Sequence, residues 1–99
     1  MAAGKRLQKK AQEMSGVFGA LGQRNRTEIF LLLLDKPSEI RYMSKDLGLV
    51  ESLVVHHLNI LRGAGWVKRR KEGKVVTYTA NIEPLERIKE YLSGEKQTA

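Results

Sequence analysis

The 99-residue chain has no cysteine, which excludes a disulfide scaffold, a thiolate zinc site, a cysteine nucleophile and a thiol redox switch. Long apolar runs are missing too. The longest, Ile29 to Leu34, is six residues, against the roughly 18 that a membrane span requires. The opening Met1-Ala2-Ala3-Gly4-Lys5-Arg6 is not followed by the apolar stretch of a signal peptide, so a cytoplasmic chain without a membrane partner is expected. No internal repeat, proline-rich linker or low-complexity tract interrupts the sequence. A single domain over 1–99 is therefore expected, with about four residues at the start and seven at the end frayed. What the chain does have is positive charge. Eighteen Lys and Arg against eleven Asp and Glu give a formal net charge of +7, which favours polyanionic partners. Hydrophobic residues at 41% and charged residues at 29% are those of a folded globular chain rather than a disordered one.

Leu7, Ala11, Met14, Phe18 and Leu21 recur at steps of four, three, four and three, the seam of a helix over about 5–21 that packs on another helix. Gly22 ends it. The apolar run within 26–35 fits a buried strand by periodicity alone. Its leucine-rich composition and the polar entry before it, with Asn25 as N-cap candidate, favour a second helix that Pro37 stops. A short third helix is expected over about 41–47, with Met43 and Leu47 inward and Gly48 as the turn. The fourth, over about 51–62, puts Val54, His57, Leu58 and Leu61 on one face and Ser52, Val55, His56, Asn59 and Arg62 on the other. Gly63 and Gly65 end it. The period then changes. Residues 66–70 and 75–79 are rich in β-branched and aromatic types, and Lys71-Glu72-Gly73-Lys74 between them has turn chemistry, so 66–79 predicts a β-hairpin. A last helix over about 84–92 starts at Pro84, carries Leu85, Ile88 and Leu92 at helical spacing, and places Glu83 and Arg87 for an i,i+4 pair.

The expected fold is mainly α with one β-hairpin, in the order α-α-α-α-β-β-α. Residues 41–62 read as a helix-turn-helix and the hairpin as its wing. This architecture suits duplex DNA because one helix fits the major groove while a charged ribbon beside it reaches flanking phosphates or the minor groove. Six cations and one carboxylate between Arg62 and Lys74 give +5 in thirteen residues. A solvated strand face would also account for such a run, but its position directly after a helix-turn-helix favours phosphate contact.

The stretches Leu21-Gly22-Gln23-Arg24-Asn25-Arg26-Thr27-Glu28-Ile29-Phe30-Leu31-Leu32-Leu33, Leu47-Gly48-Leu49, His56-His57-Leu58-Asn59-Ile60-Leu61-Arg62-Gly63-Ala64-Gly65-Trp66-Val67 and Arg70-Lys71-Glu72-Gly73-Lys74-Val75-Val76-Thr77-Tyr78 resemble the ArsR-type winged-helix repressors. The resemblance covers about residues 17–92. Its most specific part is the His56 to Val67 stretch with the basic hairpin after it, whereas a Leu-Gly-Leu turn is common to many helix-turn-helix proteins. It implies a homodimer joined through the first and last helices on an imperfectly palindromic operator, one recognition helix per half-site. Leu7, Ala11, Met14, Phe18, Leu85, Ile88 and Leu92 are then the expected dimer contacts, with packing onto the chain's own core as the alternative. Base or groove contacts are expected from Ser52, Val55, His56 and Asn59. Backbone contacts are expected from Arg26, Lys45, Arg62, Arg70, Lys71 and Lys74.

Departures from the family's pattern sharpen this reading. Metal-sensing members carry cysteines at the start of the third helix, where this chain has Glu39 and Arg41, or Asp and His on the last helix, where Ile82 to Leu92 has neither. His56 and His57 are adjacent, so their side chains diverge by about 100° on a helix and do not chelate one ion. No metal and no cofactor is expected, and the sequence names no small-molecule effector. His57 beside the core stripe reads as a structural residue. His56 is either a base or phosphate contact or solvated decoration. Where the family usually shows small polar residues, Val50, Leu53 and Val55 stand, and Glu51 adds a negative charge. Val50 has no side-chain oxygen with which to cap the fourth helix. Val55 either packs on a thymine methyl or meets protein.

Two functions compete on these residues. The first is a sequence-specific double-stranded DNA-binding transcriptional repressor acting as a homodimer. The alternative is a winged-helix module that docks another protein through Val50, Leu53 and Val55, its charge serving solubility. An enzyme is not expected, since no carboxylate pair, nucleophile with base, phosphate loop or metal cluster stands at a recognisable spacing.

Overall fold

The computed structural model describes residues 2–94. Helices α1 (Ala2–Leu21), α2 (Arg24–Asp35), α3 (Ile40–Leu47) and α4 (Glu51–Gly63) precede strands β1 (Val67–Glu72) and β2 (Val75–Ala80), and α5 (Glu83–Ser93) closes the order. This is the expected succession. Helix α1 starts earlier than the frayed beginning that its composition suggests. The expected fraying at the other end falls largely outside the described residues.

The core is a single cluster. Ile29, Phe30 and Leu33 of α2, Met43 of α3, and Val54, Leu58 and Leu61 of α4 bury their side chains with Trp66, Val67, Tyr78 and Ala20. The apolar run in α2 is helical, and its wheel explains what happens to the remaining leucines. Leu31 and Leu34 point away from the core and stay exposed at 58% and 49%. Trp66 joins three elements. Its ring meets Phe18 of α1 and Phe30 of α2 edge-on at 5.4 Å each, a geometry that the aromatic quadrupole favours. Its indole Nε1 donates to the Val17 carbonyl at 2.6 Å. By composition Trp66 opens the wing; in the fold it precedes β1 and belongs to the core instead, because burying so large a ring outweighs its β-propensity.

Capping differs from expectation at one corner. Asn25 lies inside α2, and the N-cap is Gln23, whose Oε1 accepts from the Arg26 backbone N–H at 3.0 Å. The chain turns tightly after Leu21, with Gly22 N–H donating to the Phe18 carbonyl at 2.9 Å, so α2 begins sooner than the preference for Asn at N-caps suggests. Thr27 Oγ1 locks the corner by donating to the Leu21 carbonyl at 2.6 Å. At the other end of α2, Lys36 is extended (φ −165°, ψ 155°), the conformation imposed on a residue before proline.

The hairpin runs Val67 against Ala80 through Glu72 against Val75. Gly73 (φ 63°) and Lys74 form the connection, a two-residue turn that needs positive φ at its first position. It is tighter than the four-residue turn expected from Lys71 to Lys74. One contact was not legible in the sequence. Ser38, just past Pro37, exchanges backbone hydrogen bonds with Tyr78 at 3.0 and 2.8 Å, adding a one-residue third member to the sheet and tying the wing's root to the start of α3. Asn81 closes that root. Its Nδ2 donates to the Gly65 carbonyl at 2.9 Å, its backbone N–H to the Trp66 carbonyl at 2.8 Å, and its Oδ1 accepts from Glu83 N–H at 3.2 Å.

Candidate nucleic-acid interface

Helices α3 and α4 meet through a rigid turn. Gly48 is left-handed (φ 66°, ψ 31°) and its N–H returns to the Ser44 carbonyl, a C-cap that glycine adopts without steric cost. Leu49 N–H reaches the same carbonyl at 3.1 Å, and Ser44 Oγ donates back to the Leu49 carbonyl. Leu47 and Leu49, half-buried, pack the turn onto the core. The orientation of α4 is therefore set by both hydrogen bonds and apolar contact.

Helix α4 divides as its wheel requires. Val54, His57, Leu58 and Leu61 are buried. Ser52, His56, Asn59 and Arg62 are exposed on the other side, with Val55 half-buried beside them. Val50 makes no side-chain cap; its carbonyl accepts from Leu53 and Val54 N–H at 3.1 Å each. Glu51 in the first turn offsets the missing cap, since a carboxylate there is stabilised by the helix dipole. Val50 itself is 68% exposed.

His57 is the one buried polar residue of the described core. Its Nδ1 lies 3.3 Å from an Arg26 Nη1, and the pair is compatible with a hydrogen bond only if the ring is neutral at that nitrogen. Burial, then the Arg26 charge, then His56 push its pKa below the ordinary value of 6.5. Arg26, expected among the phosphate contacts, is turned inward. Its Nε donates to the Ala20 carbonyl, so the guanidinium bridges the end of α1 to α4. The half-buried site attracts it because helix-end carbonyls lack intrahelical donors.

The wing projects from this platform. All of β1 after Val67 is exposed. The register and strand alternation put Lys68 and Arg70 on the face of Thr79 and Thr77, and Arg69 and Lys71 on the face of Tyr78 and Val76. Arg70 pairs with Glu72 at 3.2 Å, both about three-quarters exposed. Such a pair contributes little to stability, and among the described residues Arg70 is the one wing cation in an ion pair. Lys68 and Arg69 are not among the contacts expected from sequence, although strand alternation places Lys68 beside Arg70. Lys71, Lys74, Arg62 and Lys45 are exposed.

The expected dimer residues fall into three groups. Leu7, Ala11, Leu85 and Leu92 are exposed, Leu92 the most of the three leucines at 74%. Met14 and Ile88 line a cleft of about 320 Å³ between α1 and α5. Phe18 also borders that cleft, but its ring is in edge-to-face contact with Trp66 within the chain. The seam on α1 thus serves the chain's own core at its C-terminal end only. Glu83 and Arg87 approach to 3.5 Å as expected.

Among the described residues, no group of three His, Asp or Glu side chains is placed to hold a metal ion, and no helix is long and apolar enough to cross a membrane.

Residues 24–69 match the family model for bacterial regulatory proteins of the arsR family. Comparison with curated protein sequences finds no match. Among solved structures, HlyU from Vibrio cholerae N16961 is 30% identical, with a TM-score of 0.71 over 85% of this chain and 91% of that one. An ArsR-like transcriptional regulator from Rhodococcus sp. RHA1 is 26% identical, with a TM-score of 0.78 over 86% of this chain and 78% of that one. NolR from Sinorhizobium fredii, 22% identical, shares the fold at a TM-score of 0.77 over 89% of this chain and 88% of that one. A winged helix-turn-helix with this likeness in sequence and shape belongs to the arsR family of bacterial regulatory proteins, which are DNA-binding regulators of transcription and not enzymes.

Proposed function

We propose that the protein is a sequence-specific repressor that binds a palindromic operator in double-stranded DNA as a homodimer. The observation that supports this most directly is the juxtaposition of an exposed polar face on α4 with a ribbon of cations at its C-terminal end. In this reading α4 lies in the major groove, where Ser52, Val55, His56 and Asn59 meet base edges. Lys45, Arg62, Arg70, Lys71 and Lys74 meet the phosphate backbone, and Lys68 joins them. Phosphate contacts position such a protein and base contacts give it selectivity. Leu7, Ala11, Met14, Leu85, Ile88 and Leu92 supply the dimer contact through α1 and α5: Leu7, Leu85 and Leu92 stand exposed, and Met14 and Ile88 line the cleft between the two helices. A homodimer with two-fold symmetry reads a two-fold symmetric site. The cytoplasm is the compartment of this function, and no cofactor enters it.

The test is selection of bound sequences from a random duplex pool by the full chain, repeated at two salt concentrations. The expected product is an inverted repeat with half-sites about one helical turn apart. Six or more phosphate contacts predict an affinity loss of about a thousand-fold or more between roughly 50 and 200 mM salt. Absence of duplex binding at low salt, or recovery of sequences without symmetry, would refute the repressor reading.

A further inference from the structure

We infer that α4 reads thymine through its C5-methyl group, with Val55 as the specificity-determining residue and Val50 as a second contact at the helix entrance. The inference rests on the DNA-binding reading above and deepens it.

Helix α4 is unlike the wing in carrying almost no charge: Glu51 at its start and Arg62 near its end are its only Asp, Glu, Lys or Arg residues. The wing beside it holds the phosphate-binding charge. An exposed helix face that is neither basic nor wholly polar has to gain its affinity from something other than phosphate. Val55 sits between Ser52 and Asn59, three residues before and four after it on the same side of the helix. Those two are exposed while Val55 is half-buried, and it does not belong to the half-buried set that packs against the core among the described residues. Part of its side chain is therefore available at the surface. Val50 opens the helix and is the more exposed of the two at 68%. The N-terminal residues of a recognition helix are those that approach base edges.

The major groove offers one apolar feature among its donors and acceptors, the methyl group of thymine. A valine there gains by removing that methyl from water, whereas opposite cytosine or a purine it faces a polar edge. Asn59, one turn farther on, carries a carboxamide that matches adenine N6 and N7, so the pair together favours A·T over G·C at neighbouring positions. Glu51 disfavours a nearby phosphate and accepts from an exocyclic amino group if it reaches the groove floor. A protein partner fits this face less well. Val50, Leu53 and Val55 are interleaved with Ser52, His56 and Asn59, whereas a stable protein interface needs on the order of 1,000 Å² with an apolar centre.

The experiment uses the full chain and the tightest duplex recovered by selection from a random pool. Each thymine is replaced in turn by deoxyuridine, which removes the methyl group and preserves every hydrogen bond. At one or two positions in each half-site the affinity is expected to fall about three- to five-fold, as removal of one buried methyl predicts. Val55→Ala weakens the thymine duplex by a similar factor and erases the distinction between thymine and deoxyuridine at one position. Val50→Ala does so at a different one. Val55→Thr keeps the shape and one methyl, so it controls for disturbance of α4. If deoxyuridine is bound as tightly as thymine everywhere while the duplex is still selected, methyl reading is wrong and the DNA-binding reading stands. A deoxyuridine penalty that persists unchanged in both alanine variants overturns the assignment to these valines. Failure to bind any duplex overturns the broader reading, and retention of a protein partner that Val55→Asp abolishes would then assign this face to protein.

Discussion

Helix α4 and the β1–β2 wing adjoin in sequence and in space, yet they are built in opposite ways. Four side chains anchor α4 in the core, and a stapled turn through Gly48, Ser44 and Leu49 sets its angle. The wing has one buried side chain in each strand, Val67 and Tyr78, both near its root. Precision and charge are thus separated. Base reading needs a side chain placed to within a fraction of an ångström, which a helix locked to a core provides. Phosphate attraction acts over about a Debye length, roughly 8–10 Å in ordinary salt, so a projecting ribbon with long, mobile lysines suffices for it.

The contrast breaks most severely at Trp66, the residue through which α4 leads into β1. Trp66→Ala removes the ring that Phe18 and Phe30 pack against, with an expected loss of about 3–5 kcal/mol. That is a large share of the roughly 5–15 kcal/mol that holds a domain together. Thermal denaturation should show a greatly lowered midpoint or no cooperative transition, and an unchanged midpoint would remove Trp66 from its central place.

The separation of roles is tested most directly by pairing Asn59→Ala with Lys74→Ala. Loss of Asn59 is expected to cost about 1–3 kcal/mol against the preferred site and to relax selection at one base pair per half-site, leaving the salt slope alone. Replacement of Lys74 should weaken all duplexes alike and reduce the salt slope by about one for each phosphate that is no longer neutralised. Titrations with preferred and scrambled duplexes at several salt concentrations distinguish them. Identical behaviour of the two variants would erase the contrast.

Gly73→Ala probes the wing by itself. Beyond its two chain neighbours nothing lies within 4 Å of the added methyl, but φ is 63°, so the cost is conformational, about 1–2 kcal/mol. Amide exchange should accelerate in the hairpin while protection at Leu58 and Leu61 is retained. Equal acceleration in both would mean that wing and core open as one unit.

The smallest expected effect belongs to α4. His57 has a lowered pKa in the folded chain, first from burial, then from Arg26 and His56. The unfolded chain accordingly binds the proton more readily. Its contribution to stability is complete above the unfolded pKa of about 6.5. It is lost progressively as pH falls below that value, levelling off beneath the folded pKa. Denaturant midpoints at pH 8 and pH 5.5 should differ less in His57→Gln than in the parent chain. The same pH dependence in both would place the titration elsewhere.

Much of this architecture is legible in the sequence. Apolar spacing along α4 assigns its buried and exposed faces residue by residue, because a regular helix converts sequence position directly into direction. The change of period after Gly65 reveals the hairpin, and most of the cations between Arg62 and Lys74 fall on its exposed strand and turn. The missing oxygen at Val50 correctly implies an α4 without a side-chain cap.

Other features depend on residues far apart in the chain. Arg26 resembles a surface cation until Ala20 and His57 are seen on either side of it, and Ser38 resembles a loop residue until Tyr78 meets its backbone. Asn25 is the better intrinsic cap, yet the corner after Gly22 starts α2 early and gives that place to Gln23. Phe18 fits a dimer seam by spacing, whereas its ring is in edge-to-face contact with Trp66, 48 positions later in the chain. Local periodicity determines which face of an element is apolar, since that follows from backbone geometry alone. Which neighbour covers the face, and which polar group is drawn inward to satisfy an exposed carbonyl, is decided only when the elements pack.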